Sequence, residues 1–413
     1  MAPNSTAQNA KHVSNLMGRI TRDQGPEFEQ RVNFAGLDSV PTPTSLKTDK
    51  RIKFIDLHFR GRVTIGGGAF RAGPLFLGTP LFSLLQQITL RGTHLTHGAQ
   101  NPIVMDGEAM ATYNSMYLPN YVPRWTNSLN GAAPVFQGVL GSVAGDTNDF
   151  DLVLPIPTFP LDLAPADIPF FCINGPDWPG NLYLDVACGD TTCLGITTAN
   201  TTNYSAANGG ITAYGSAAGL GTIDILTERC LLGKEYAALI RPAITFRQGF
   251  YDQPTAVVTG AGGVGITVKD LAVGKDTTRI MIQAGTLLGG LGAGCRVFNA
   301  MLDTILTRTY IQLDSRALRF LPALGDAVAQ DYYGRQVGHG IPIGYRGIDF
   351  ISCLGNGPAN PKAAFQSSKL TAARKFEVSA DVTAAGGQLC LVVQEMTLGR
   401  PALLDSAQAG STA

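Results

Sequence analysis

Gly221–Gly233 reads GTIDILTERCLLG, and Gly387–Gly399 reads GQLCLVVQEMTLG. Both are thirteen-residue frames that open and close on glycine and hold a β-branched, apolar run between. Two such strand-like segments invite a search for a repeat. Working back through the chain, Leu184-Asp185-Val186 answers Ala380-Asp381-Val382, and Gly107–Tyr113 (GEAMATY) answers Gly325–Tyr332 (GDAVAQDY). Leu84–Arg91 (LLQQITLR) answers Ile305–Asp314 (ILTRTYIQLD). Lys53–Gly67 (KFIDLHFRGRVTIGG), which alternates apolar and polar residues before a double glycine, answers Arg279–Gly290 (RIMIQAGTLLGG). Five matches fall in the same order, with an offset that shrinks along the chain, as shortening loops would produce. The second half is read as a copy of the first.

The segments are short, rich in β-branched or aromatic residues, and punctuated by the chain's 49 Gly and 24 Pro. Asp149–Leu161 (DFDLVLPIPTFPL) alternates with period two and then meets prolines, which fits a strand running into an edge or corner. Helical periodicity is sparse. It is clearest in Glu108–Tyr117 and in Asn299–Thr309, where Leu302, Ile305 and Leu306 share a face. The reading is all-β: two tandem β-sandwich or jelly-roll domains with a few short helices, closed or double-sheet arrangements that leave few exposed strand edges. Its divisions are an N-terminal arm over 1–50, a first jelly roll over 51–236, a second over 237–400, and a flexible tail over 401–413. Thr191–Leu220, rich in Thr, Asn, Ala and Gly, is a long loop of the first copy that the second lacks. In the arm, Val13, Leu16, Met17 and Ile20 form one helical stripe, with Lys11, Arg19 and Arg22 off it. Such a basic amphipathic piece suits a neighbouring subunit or an anionic membrane surface, and subunit docking is favoured because its apolar anchors are few.

Charged residues make up 15% of the chain, against about 25% in an average soluble domain, so much of the surface is expected to be covered. A membrane span does not explain the shortfall. The best apolar stretch, Ala72–Leu90, is broken by Pro74, Pro80 and Gln86-Gln87. Burial between subunits is the better account. With 31 residues of each sign the net charge is zero, which argues against specific nucleic-acid binding. The polar start, Met1–Asn9, lacks the apolar core of a secretory signal. The seven Cys are scattered, among them Cys172, Cys295 and Cys390 in apolar runs, and read as reduced core residues of a protein made in host cytoplasm.

Signals for chemistry are weak. Gly260-Ala-Gly262-Gly-Val-Gly265 matches GxGxxG, but the following ITVKDLAVG is β-branched and glycine-broken, unlike the helix a dinucleotide site needs. A glycine-rich β-turn is the preferred reading, with a nucleotide-cofactor oxidoreductase kept as the remotest alternative. His94 and His97 are three apart, a spacing that reaches one metal only from a turn or helix. Cys188 and Cys193 lack a second Cys pair. Asp146, Asn148, Asp149 and Asp151 crowd one short loop as weak cation candidates, although Phe150 stands where a calcium loop needs oxygen. No GxSxG elbow and no phosphate-cradling loop ending in Gly-Lys-Ser/Thr is present, so no catalytic residue, cofactor or metal is assigned and no enzyme is expected. The main alternative is a β-sandwich carbohydrate-binding or adhesin-type protein, with Trp125 and Trp178 as its only tryptophan platforms.

With its polar arm, two tandem β units ending in the matched strands Gly221–Gly233 and Gly387–Gly399, and long inter-strand loops, the chain resembles the double-jelly-roll major capsid proteins of tailless icosahedral viruses. That family includes membrane-containing bacteriophages. The resemblance covers roughly Arg51–Gly399 and rests on organisation rather than on diagnostic residues. It implies a homotrimeric, pseudo-hexagonal capsomer that assembles into an icosahedral shell. The arm would face inward, 191–220 would face outward, and the partners would be sister subunits, minor or vertex proteins and an internal lipid membrane. It places the protein in the virion.

Overall fold

The computed structural model describes residues 22–34, 43–64, 82, 85–95, 98–118, 147–159, 168–180, 182–188, 221–231, 244–251, 263–270, 276–287, 298–300, 306–314, 316–322, 345–349, 376–382 and 388–398. The strands of the first half are β1 (Arg22–Phe34), β2 (Thr44–Ser45), β3 (Arg51–Thr64), β4 (Leu85–His94), β5 (Gly98–Met105), β6 (Thr147–Pro157), β7 (Ile173–Asn174), β8 (Leu182–Cys188) and β9 (Gly221–Leu231). Those of the second are β10 (Ile244–Tyr251), β11 (Gly263–Asp270), β12 (Asp276–Leu287), β13 (Phe298–Ala300), β14 (Leu306–Leu313), β15 (Arg316–Pro322), β16 (Tyr345–Asp349), β17 (Phe376–Val382) and β18 (Gln388–Leu398). Helix α1 (Gly107–Tyr117) and the single turn α2 (Ile168–Phe171) belong to the first half.

The two halves share one wiring scheme. In the first, one sheet runs β1-β9-β3-β6 and the other β2-β8-β4-β5. In the second, one runs β10-β18-β12-β16 and the other β11-β17-β14-β15. With the short extra strands β7 and β13 set aside, both halves follow the order 1-8-3-6 over 2-7-4-5, a jelly roll. The fold is therefore all-β, with two jelly rolls in one chain. Four of the five segment pairs matched in the sequence occupy equivalent positions: β3 with β12, β4 with β14, β8 with β17, and β9 with β18. Of the fifth pair, Gly107–Tyr113 lies in α1 and 325–332 lies outside the described residues. The jelly rolls are joined through their sheets, because β10 pairs in parallel with β5 at Gln248–Ile103 and Gly249–Val104.

The core of the first jelly roll follows from strand alternation. Ile55, Leu57 and Phe59 of β3 are buried with their register partners Leu154 and Ile156 of β6 and Ile223 and Ile225 of β9. On the other sheet Ile88 and Leu90, Ile103 and Met105, and Leu182, Leu184 and Val186 form the buried rows. Each fully buried aliphatic side chain contributes about 1.5–3 kcal/mol. Helix α1 touches both sheets through β4 and β6 and buries Met110 and Tyr113. It starts where the Asp106 carboxylate accepts a hydrogen bond from the Ala109 amide at 2.7 Å.

Three expectations differ from the structure. First, the arm read as 1–50 holds β1, which pairs with β9 along its length, and β2, which pairs with β8, so sheet strands are present from Arg22, the first of the described residues. Its polar composition (RDQGPEFEQRVNF) suits an edge strand with bulges, which has one neighbour and needs little apolar surface. Second, the helix expected over Asn299–Thr309 is absent: Phe298–Ala300 is β13 and Leu306–Leu313 is β14, paired on both sides by β15 and β17. Apolar residues three and four apart satisfied a helical template over a stretch too short to separate it from a strand. Third, Asn148, Asp149 and Asp151 do not crowd a loop. They lie in β6, in register with Val63, Arg62 and Arg60, and Asp146 falls outside the described residues.

Candidate functional site

Of the arm residues, Lys11, Val13, Leu16, Met17, Arg19 and Ile20 lie outside the described residues. Arg22 is the first residue of β1, opposite Leu231. Gly260 and Gly262 also lie outside, whereas Gly263 and Gly265 belong to β11, which pairs antiparallel with β17. A strand follows the glycines where a dinucleotide site needs a helix N-terminus, so the oxidoreductase alternative loses its geometric basis. His94 closes β4 and packs edge-on against Trp178, with ring centroids 5.1 Å apart. Trp178 is buried, which makes it a packing residue and not a sugar platform. His97, Trp125 and Cys193 are outside the described residues, and Cys188 ends β8. Among the described residues no group of three His, Cys, Asp or Glu is placed to hold a metal, and no helix is long and apolar enough to cross a membrane. The tail over 401–413 and the loop over 191–220 are likewise outside.

The distinctive polar features lie on the β1-β9-β3-β6 sheet. Arg229 is 1% exposed, yet it forms ion pairs with Glu27 of β1 and with Asp49 of the β2–β3 connection, the latter at 2.6 Å. Lys47 and Lys50 approach Glu27 at 3.5 and 3.9 Å, and Lys50 approaches Asp49 at 3.8 Å. This cluster ties β1 and the connection to β9. Burial holds the Arg229 guanidinium below its ordinary pKa. A second buried guanidinium, Arg51, donates to the Pro169 carbonyl at 3.1 Å, and burial lowers its pKa against the opposing pull of Cys172 and Cys230. Both thiols are buried, and burial pushes the Cys172 thiol well above its usual range, with its hydrogen bond to Cys230 adding to the rise.

On the sheet's outward face, Phe54, Asp56 and His58 alternate with the buried Ile55, Leu57 and Phe59. Arg31 closes on Asp224 in a two-bonded pair at 2.5 and 2.8 Å. Phe28 and Val153 are 54% and 44% exposed, and both sit on edge strands of this sheet. On the other sheet, Arg91 pairs with Asp185 and lies 5.2 Å over the Tyr183 ring. None of these groups is legible as a site in the sequence, because register alone brings them together.

No protein-family model and no curated protein matches the chain. Solved structures do. The PBCV-1 VP54 structure, fitted into a reconstruction of the virophage Sputnik, is similar at a TM-score of 0.56 and 14% identity, covering 92% of this chain and 94% of that one. Sulfolobus Turreted Icosahedral Virus gives 0.53 at 11% identity, covering 95% and 94%. The Faustovirus major capsid protein gives 0.50 at 9%, covering 91% and 90%. This breadth of coverage agrees with the double-jelly-roll fold of the described residues.

Proposed function

We propose that this chain is a structural major capsid protein that assembles into the shell of an icosahedral virion and carries no catalytic site. The observation that supports the reading most strongly is the repeated wiring, the order 1-8-3-6 over 2-7-4-5 used twice in one chain. Two similar wedges per chain become six in a trimer, a shape that tiles a hexagonal lattice with a homotrimer as its unit. The similarity to solved viral proteins over nine-tenths of the chain supports the same reading. So does the charge deficit, because a subunit walled by its own copies has less surface to solvate. The two jelly rolls divide between β9 and β10. The first begins at β1, which leaves the stripe of Val13, Leu16, Met17 and Ile20, flanked by Lys11 and Arg19, as a short arm for a neighbouring subunit or an internal membrane. The expected partners are sister subunits first and minor or vertex proteins next. Synthesis is in host cytoplasm and residence is in the virion.

The test is the mass of the purified chain in solution, followed by electron microscopy. A stable trimer of 43.5 kDa chains that forms hexagonal arrays or closed shells is the expected result. A monomer that never assembles would remove the assignment.

A further inference from the structure

Asp56 occupies the middle of the outward face of the β1-β9-β3-β6 sheet. Its register partners are Pro155 on β6 and Leu226 on β9, and Leu226 is in turn opposite Phe28 on β1. Neither flanking side chain can donate a hydrogen bond to a carboxylate. The charged groups around it are already engaged with one another. Lys53, three residues back on β3, approaches Glu228 of β9 at 3.8 Å, and Arg31 of β1 holds Asp224 of β9. Glu29 of β1 accepts from the Thr227 hydroxyl at 2.7 Å, and Glu27 pairs with Arg229. On β6 the adjoining described positions, Val153, Pro155 and Pro157, bring no charge. His58 is the other proton-binding group of this row on β3, opposite Asp224 and Val153.

We propose that Asp56 is a proton-operated element of the first jelly roll. Neutral, its carboxyl fits between Pro155 and Leu226; ionised, it sets a charge beside Glu228 in the centre of the sheet and loosens the β9–β3–β6 ladder. Burial raises the Asp56 carboxyl to about 7, Glu228 adds to the rise, and Lys53 opposes it. The folded chain therefore keeps a proton that the unfolded chain has released across the interval between the usual carboxylate range and neutrality. Stability is greatest at the acid end of that interval, falls as pH rises through it, and levels off above about 7. The effect belongs to the folded subunit and stands whatever the chain assembles into.

The test is the urea midpoint of the full-length protein from pH 5 to 8.5, with hydrogen exchange read at β3, β6 and β9. The wild type loses stability as pH rises to about 7, then levels, and exchange in those strands quickens over the same interval. Asp56→Asn flattens that segment. Between pH 5 and pH 8 its folded-to-unfolded ratio gains on the wild type by something on the order of tenfold, the full shift setting a ceiling of about a hundredfold before solvent screening is allowed for. Glu228→Gln moves the break to lower pH, and Lys53→Met moves it higher. These two opposed shifts carry the test if Asp56→Asn fails to fold. His58→Gln leaves the profile in place. An unchanged slope in Asp56→Asn, a slope lost in His58→Gln, or Glu228→Gln and Lys53→Met breaking at the wild-type pH would each overturn the proposal.

Discussion

The Arg229 cluster leads to a prediction that runs against exposure. The guanidinium is 1% exposed, while its partners Glu27 and Asp49 have side chains 36% and 58% exposed. Two perturbations break the same ion pairs from opposite sides. Arg229→Met keeps much of the buried stem, removes the charge, and abolishes the Nε donor, which has no hydrogen-bond partner. Glu27 and Asp49 then rehydrate and keep Lys47 and Lys50. The loss reduces to packing and exposed hydrogen bonds, about 1–2 kcal/mol. The double variant Glu27→Gln/Asp49→Asn deletes only surface charges but strands a cation inside the sheet beside two lysines. Breaking a buried pair in that direction costs about 3–5 kcal/mol. Urea unfolding of the full-length chain at pH 7, with equal m-values checked, measures both. The double variant is expected to be the less stable by about 2 kcal/mol. If Arg229→Met proves equally or more destabilising, the guanidinium is not held by those carboxylates and the reasoning fails.

Other substitutions probe single contacts. A Cβ on Gly175 would lie 2.1 Å from the Lys50 carbonyl oxygen, to which the Gly175 amide donates at 3.1 Å, so Gly175→Ala must push two backbones apart. It is expected to lower stability by about 3 kcal/mol in the same urea assay. Asp106→Ala removes the cap of α1 and costs about 1 kcal/mol, with Asp106→Asn restoring most of it. Trp178→Ala opens a cavity beside His94 and costs about 3 kcal/mol by thermal or urea unfolding. A Trp178 variant that is unchanged in stability yet loses glycan binding would revive the carbohydrate-binding reading.

Much of the architecture was legible because it is local. The alternation of Ile55, Leu57 and Phe59 with Phe54, Asp56 and His58 states a half-buried strand directly, and the periodicity of Glu108–Tyr117 states most of α1, though its cap at Asp106 is seen only in the structure. The repeat was legible for a related reason. Strands in equivalent positions of two jelly rolls meet the same burial demands, so Gly221–Gly233 and Gly387–Gly399 kept a common frame through low overall likeness. Where the local code was ambiguous the reading slipped. β1 resembles a polar arm because an edge strand needs few apolar residues, and the stretch leading into β14 reads as a helix because Leu302, Ile305 and Leu306, at spacings of three and four, are too few to establish a period.

The alternation and the repeated order of segments, and with them an all-β chain made of two like units, were properties of the sequence alone. Strand pairing was not, because a hydrogen-bonded neighbour can lie nearly two hundred residues away, as Arg31 and Asp224 do. Only the assembled sheets could put β9 between β1 and β3, join β10 to β5, bury Arg229 against two surface carboxylates, and leave Asp56 between a proline and a leucine. Side-chain period is written along the backbone, whereas register across a sheet is chosen by the whole core at once.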